Sequence, residues 1–514
     1  MNRRSFFKSA SFFSDDSVQP ANELSSERLS KAMNPKPLAV TAGLEEFTTP
    51  LSSRNAEHLL RRIGLQLNKI EITQVVGKTA AQVVDSLLTI NPNSLPTQPS
   101  WAINSPANVQ QQNYDQVNEL RTLWFSHLLS GKNPLLEKMV FFWHNHFTSE
   151  EKKVYYSQYI YWQHDLFRRN PKQVSEIYQP VQDNDRTYFG NIKTLTKAIV
   201  RDMAMLVYLD GNQSISGNPN ENFAREILEL FTLGIGNYTE HDIVEAARAF
   251  TGWRVEGLTS RFKSSNFDDT EKTFMGKTGK HSADDIVDII FQQPACARFF
   301  AGKLYRFFVY EAPNEDILTQ LASELLASNY ELKPFLKKLL ASAHFFDEQF
   351  YGAVIKSPLD IIIGTGRLFE LTKFKDNLVA VRGLMQLTLE LFNPPDVAGW
   401  KGYHQWINTS TLPTRQKFTD SMIDGTSTIA LMPIPESKID ALTFVKSFGE
   451  TTAPKVVAVL GEYLLPFTLN SAQKDALMND AFGGYDWTVD APNAKAGVER
   501  LLKAIMRMPE FQLM

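Results

Sequence analysis

The sequence predicts an all-α protein: one large multi-helix, bundle-like body, with a long loop or a small β-hairpin near 255–280. Two observations predict it. Apolar residues recur at helical spacing, as in Phe223, Ile227, Leu230 and Phe231. Start and stop signals frame such stripes, most clearly over 202–253. There Asn218-Pro219-Asn220-Glu221 has the form of a helix start, with Asn218 as N-cap, Pro219 at N1 and Glu221 at N3. Gly234 or Gly236 stops that helix, and Thr239 with Asp242 starts the next.

The elements follow in order. Residues 1–45 have little pattern and read as a loosely ordered tail or a decayed export signal. Arg3-Arg4 followed by Phe6, Phe7 and Lys8 has the form of a twin-arginine motif, but the next residues are polar and include Asp15 and Asp16. A cytoplasmic chain is therefore expected, with export through this signal as the alternative. A core spans 46–430 and a C-terminal helical segment, packed on it, spans 431–514.

Helices are expected at 52–66, with Arg54, His58, Arg61 and Arg62 on the polar side, and at 79–89. Two more fill 115–148, split at Gly131 to Pro134. The second, PLLEKMVFFWHNHF, has so many large apolar residues that it should be buried nearly all round. Residues 152–169 carry aromatics at helical spacing, and 189–209 reads as one helix. Within 254–282, RFKSSNF and KTFMG alternate weakly, as short strands would. Helices resume at 283–291, 294–310, 314–328, 332–345, 357–371 and 376–391. Residues 393–418 read as a Pro/Gly/Trp-rich loop. FLKKLLASAHFF at 335–346 echoes RLLKAIMRMPEF at 500–511, a single short match that leaves internal duplication open.

Composition narrows the function. The 514 residues are 43% hydrophobic and 21% charged with a net charge of −4, which offers no basic stripe for nucleic acid or an anionic membrane. No apolar run reaches the roughly 18 residues that would span a bilayer. The single cysteine, Cys296, excludes a disulfide framework and reads as a buried inert thiol.

Four constellations could carry chemistry. Asp210, Asn212, Ser214, Ser216, Asn218 and Glu221 occupy positions 1, 3, 5, 7, 9 and 12 of a loop between helices, the oxygen-ligand spacing of a calcium site. Position 6 is Ile215, which disfavours the positive φ needed there, so a capped structural loop is the stronger reading. On the next helix Arg225 pairs at i,i+4 with Glu221 and with Glu229, and Asn222 with Glu226. Glu226 and Glu229 could instead share a face as metal ligands or an acid/base pair. His144 and His146 diverge by about 200° in a helix, so at most one enters a pocket. PPDVAGWKGYHQW, with Asp396, Trp400, His404 and Trp406, suits a stacking surface or a loop pinned by its tryptophans. No P-loop, dinucleotide fingerprint or nucleophile elbow is present.

NENFAREILELFTLGIGNYTEHDIVEAARAFTGW closely resembles the signature of the domain of unknown function 1800 family. HLLRRIGL, PLLEKMVFFWHNHF, AMLVYLD and PPDVAGWKGYHQW fit the same family, and together these span about 50–420. The resemblance implies a weight for Glu226 and Glu229, which stand at motif positions, but no role. It also implies a neighbour, because members often accompany a sulfatase-like family. In the loop before KTFMG the family places a His-Asp pair, where this chain has Phe267-Asp268. Two readings follow. The first is a binding or accessory protein acting with a sulfatase-like partner, using Asn222, Arg248, Trp253, Trp400 and Trp406. The second is a metal-dependent or acid/base hydrolase. Its pocket would hold Glu226, Glu229, Arg225 and His144, with Asp210, Asn212, Glu221 and His146 as ligands of calcium or a transition metal.

Overall fold

Backbone carbonyls at helix ends need donors, and in this chain buried arginines supply them. The computed structural model describes residues 35–65, 68–174, 177–178, 186–371, 374, 377–425 and 438–514. The Arg3-Arg4 motif lies outside the described residues. Among those described, twenty-two α-helices carry the fold, and the strands are short. One hydrophobic cluster runs from Leu44 to Leu513, so the helices of 441–507 share their core with those that precede them.

The Pro134–His146 helix is the buried spine: eleven of its thirteen residues are buried, from Leu135 to His144 and again at His146. Such all-round burial is what its apolar composition dictates. Its polar residues are paired inside the core. Lys138 reaches Asp360 at 3.1 Å, and Glu137 takes both Nε and Nη2 of Arg168.

The β-structure expected near 255–280 consists of two hairpins. Trp253–Glu256 pairs with Thr259–Phe262, and Lys272–Phe274 with Lys277–Gly279. Ile177–Tyr178 adds a third strand to the first hairpin.

Several boundaries differ from the sequence reading, three of them for a visible local reason. The 189–209 stretch is two helices, Ile192–Ile199 and Met203–Tyr208, because Asp202 leaves the helical conformation and caps Met205 N at 3.0 Å. The cap of the Glu221–Glu229 helix is Asn220, not Asn218. Asn218 is committed to a tight turn with Ile215 around Gly217 at φ +83°, and Asn220 both caps Phe223 N and reaches Leu209 O. The 393–418 loop already contains the start of a helix, Thr411–Asp424. Pro413 sits in its first turn, where a missing N–H leaves no bond unmade.

The Ser53–Ile63 helix ties distant segments together. His58 Nε2 lies 3.0 Å from Phe345 O. Arg61 donates to Leu465 O and Tyr463 O at 3.0 and 2.7 Å, at the end of the Ala453–Leu464 helix. Arg62 donates to Phe308 O and Val309 O, at the end of the Pro294–Phe308 helix, and to Phe350 O. The sequence reading put these groups on a polar side; all three are buried. Each arginine brings a positive charge to a helix C-terminus, the end whose partial charge is negative.

Arg62→Leu strands three carbonyls at about 1–3 kcal/mol each and should cost on the order of 3–5 kcal/mol in urea denaturation. Arg54→Leu, on the exposed side of the same helix, should cost under about 0.5 kcal/mol. Equal effects would refute the clamp.

Candidate functional site

The Glu221–Glu229 helix presents its acidic residues at a half-exposed surface. Arg225 is bound in two-pronged fashion to Glu240 at 2.9 and 2.7 Å, so it does not serve the pairs expected with Glu221 and Glu229. Glu229 accepts from the Tyr238 hydroxyl. Glu226 is held above the usual carboxylate range by partial burial, with Glu229 and Asp396 adding to the effect and Arg225 opposing it. Glu221 and Asn222 are exposed.

The 210–221 loop is closed by its own bonds. Asp210, at φ +57°, pairs with Lys153 at 3.0 Å. Ser214 Oγ accepts from Asn220 N, and the Asn212 carbonyl accepts from Arg254. Among the described residues, no three His, Cys, Asp or Glu side chains gather to hold a metal ion.

The two histidines serve different surroundings, as the helical geometry dictates. His144 accepts from Phe392 N at 3.1 Å, and burial holds its imidazole down at about 3. His146 reaches Phe231 O at 3.0 Å and, through Nδ1, Lys303 Nζ at 3.1 Å. Burial and the Lys303 charge keep His146 neutral, while burial pushes the Lys303 amine down to about 8.

The tryptophan loop is pinned over the core. Trp400 and Trp406 are 6% and 7% exposed. Asn145 holds Trp400 through both backbone groups, Oδ1 to N at 2.7 Å and Nδ2 to O at 3.1 Å. Gly399, at φ +79°, is the residue this approach requires, because a Cβ there would meet Asn145. Trp253 is buried beneath Arg201, whose guanidinium lies 4.6 Å from its ring centre. Arg248 secures the 268–271 loop through Asp268 at 2.8 Å and also binds Glu245 at 2.7 Å. Phe267 lies under the Lys272 ammonium at 4.8 Å. Cys296 is buried, and its thiol is pushed up by desolvation.

A cavity of about 380 Å³ opens elsewhere, between the Ser53–Ile63 helix and the 462–468 segment. Glu57, Arg54, Arg61, Tyr351 and Glu462 line it, with His58 in the wall. The Glu57 side chain is 13% exposed and lies 3.5 Å from Arg61. Burial pushes its carboxyl up to about 7, with Glu462 adding and Arg61 and Arg54 opposing. Arg61 is the larger of the two opposing charges, and its two Nη groups also face the carbonyls of Tyr463 and Leu465. Tyr351 stacks on His58 with ring centres 4.0 Å apart and donates to Asn55 Oδ1 at 2.8 Å. The sequence reading missed Glu57 and Glu462. The signal that was available was a Glu one residue before a His and four before a pair of arginines, on a helix too rich in charge to be read as buried.

The fold and its polar clamps define a class: a helical protein built around one continuous core, with a titratable carboxyl in a cavity of ligand size. The family profile described as "Protein of unknown function (DUF1800)" matches residues 58–513, nearly the whole chain, and the protein belongs to that family. No curated protein and no solved structure matches it. Among the described residues, no helix is long and apolar enough to cross a membrane.

Glu57 gives a pH signature. Its folded pKa of about 7 lies above the 4.5 of a free side chain, so its stabilising contribution is complete below pH 4.5 and is lost as pH rises through 7. The stability of Glu57→Gln minus that of the wild type should therefore climb by about 3 kcal/mol between acidic and mildly alkaline pH. A difference that stays flat in urea denaturation would remove Glu57 from its role.

Proposed function

We propose that the protein is an acid–base enzyme whose site is the cavity beside Glu57. The observation that carries this is the position of that carboxyl: desolvated, inside a cavity of about 380 Å³, with a midpoint of about 7. A group poised near the working pH is populated in both forms and can give or take a proton. Glu462 and Arg61 in the same wall are a second carboxylate and a fixed cation, able to orient a small polar substrate. Hydrolysis of such a substrate is the simplest reaction that uses this set. The alternative hydrolytic pocket, on the Glu221–Glu229 helix, is a half-exposed surface in which Arg225 and Glu229 already have partners. An accessory role beside a sulfatase-like partner needs a docking face, and the two tryptophans expected to mark one are buried.

The test is a panel of chromogenic esters, phosphates, glycosides and anilides, run with wild type, Glu57→Gln and Glu226→Gln. A turned-over substrate should show kcat/KM with a limb near pH 7. Glu57→Gln should lower kcat/KM by roughly a hundredfold or more, and Glu226→Gln should leave it within about twofold. Loss in Glu226→Gln with activity kept in Glu57→Gln would return the site to the Glu221–Glu229 helix and overturn the proposal.

A further inference from the structure

A second cavity, of about 220 Å³, lies between the 92–99 segment and the Gln110–Ser130 and Ser157–Arg168 helices. The geometry points to a binding site there for a small carboxylic acid with an apolar body, separate from the Glu57 cavity.

Size comes first. At about 30 Å³ per water, the space holds roughly seven waters or an organic molecule of about ten non-hydrogen atoms. A nucleotide or disaccharide is too large. The walls then divide by chemistry. Trp124 and Tyr161 offer ring surface, Leu120 and Leu123 aliphatic surface, and the 92–99 roof supplies three prolines. The other end carries Arg168 and Arg169, with Asp165 beside them. Arg168 uses Nε and Nη2 on Glu137 at 2.6 and 2.8 Å, and Arg169 uses Nε and Nη2 on Asp165 at 3.0 and 2.6 Å. Neither Nη1 has a hydrogen-bond partner among the described residues. A guanidinium offers only donors, so a ligand at this end must bring acceptors, and a carboxylate matches it best.

His164 completes the aromatic wall. It lines the same cavity and is 3% exposed. The imidazole is fixed in place by Trp124, with ring centres 4.2 Å apart and the planes at 67°. The site so formed has an aromatic wall and a donor pair.

Isothermal titration of the full chain with phenylacetate tests this, beside 2-phenylethanol as the uncharged analogue and inorganic phosphate as the bare anion. Phenylacetate should bind the wild type and Glu57→Gln equally. The alcohol and the phosphate should each bind at least roughly tenfold more weakly, as expected for loss of a charged hydrogen bond or of the apolar contact. Arg169→Met, at a half-exposed position, should weaken phenylacetate by a similar factor while the protein still melts cooperatively. Leu95→Trp, which fills the roof without touching either arginine, should remove binding if Arg169→Met does not fold. No heat at about 10 mM phenylacetate, equal binding of the alcohol or phosphate, or undiminished binding by either variant would each overturn the assignment.

Discussion

The unsatisfied carbonyls at helix C-termini are the constraint on which this architecture depends. A fold of many short helices has many such ends, and each buried one needs a donor. Arg61 and Arg62 serve, reaching from one helix to the ends of two others and to Phe350. The long guanidinium arm has donors enough for several carbonyls, although burial lowers the pKa of both groups, that of Arg62 to about 9. Burying such a charge is unfavourable by itself, and the helix-end carbonyls offset much of that cost.

The same clamp explains why Glu57 is unusual. In an isolated helix, Arg61 four residues on would hold the carboxyl ionised. Here the arginine is turned toward Tyr463 and Leu465, and Glu57 is left desolvated with a cation 3.5 Å away that other acceptors already share. A structural requirement at the helix ends has thereby produced a chemically distinctive carboxyl. The Glu137–Arg168 pair shows the opposite outcome. There the arginine faces the carboxylate squarely, and the acid is held far below its usual range despite full burial, by the Arg168 charge, its hydrogen bonds and His127.

Most helices were legible because their apolar spacing is a local property. The Pro134–His146 helix is buried as its composition requires, and the divergence of His144 and His146 follows from helical rotation alone. Boundaries were misjudged where a polar side chain had two local uses. Asp202 could sit within a helix or cap one, and Asn218 could cap or turn. The cavity was not legible because its walls come from residues about 400 positions apart, near 57 and near 462. Nor could spacing tell a solvated charged face from a buried one. His58, Arg61 and Arg62 look like surface until the carbonyls they meet are known, and Trp400 looks like a stacking platform until Asn145 is seen holding its backbone.

The reach of the Ser53–Ile63 helix also orders events during synthesis. Its arginines are made well before their partners: Arg62 meets carbonyls at 308, 309 and 350, and Arg61 meets those at 463 and 465. Contacts of such separation are slow to form, and until they do the helix presents Arg62 and its apolar stripe without their partners. A nascent chain therefore carries an incomplete hub for most of its translation. The Glu57 cavity comes into being with the last clamp, so any activity housed there belongs only to chains that have finished folding.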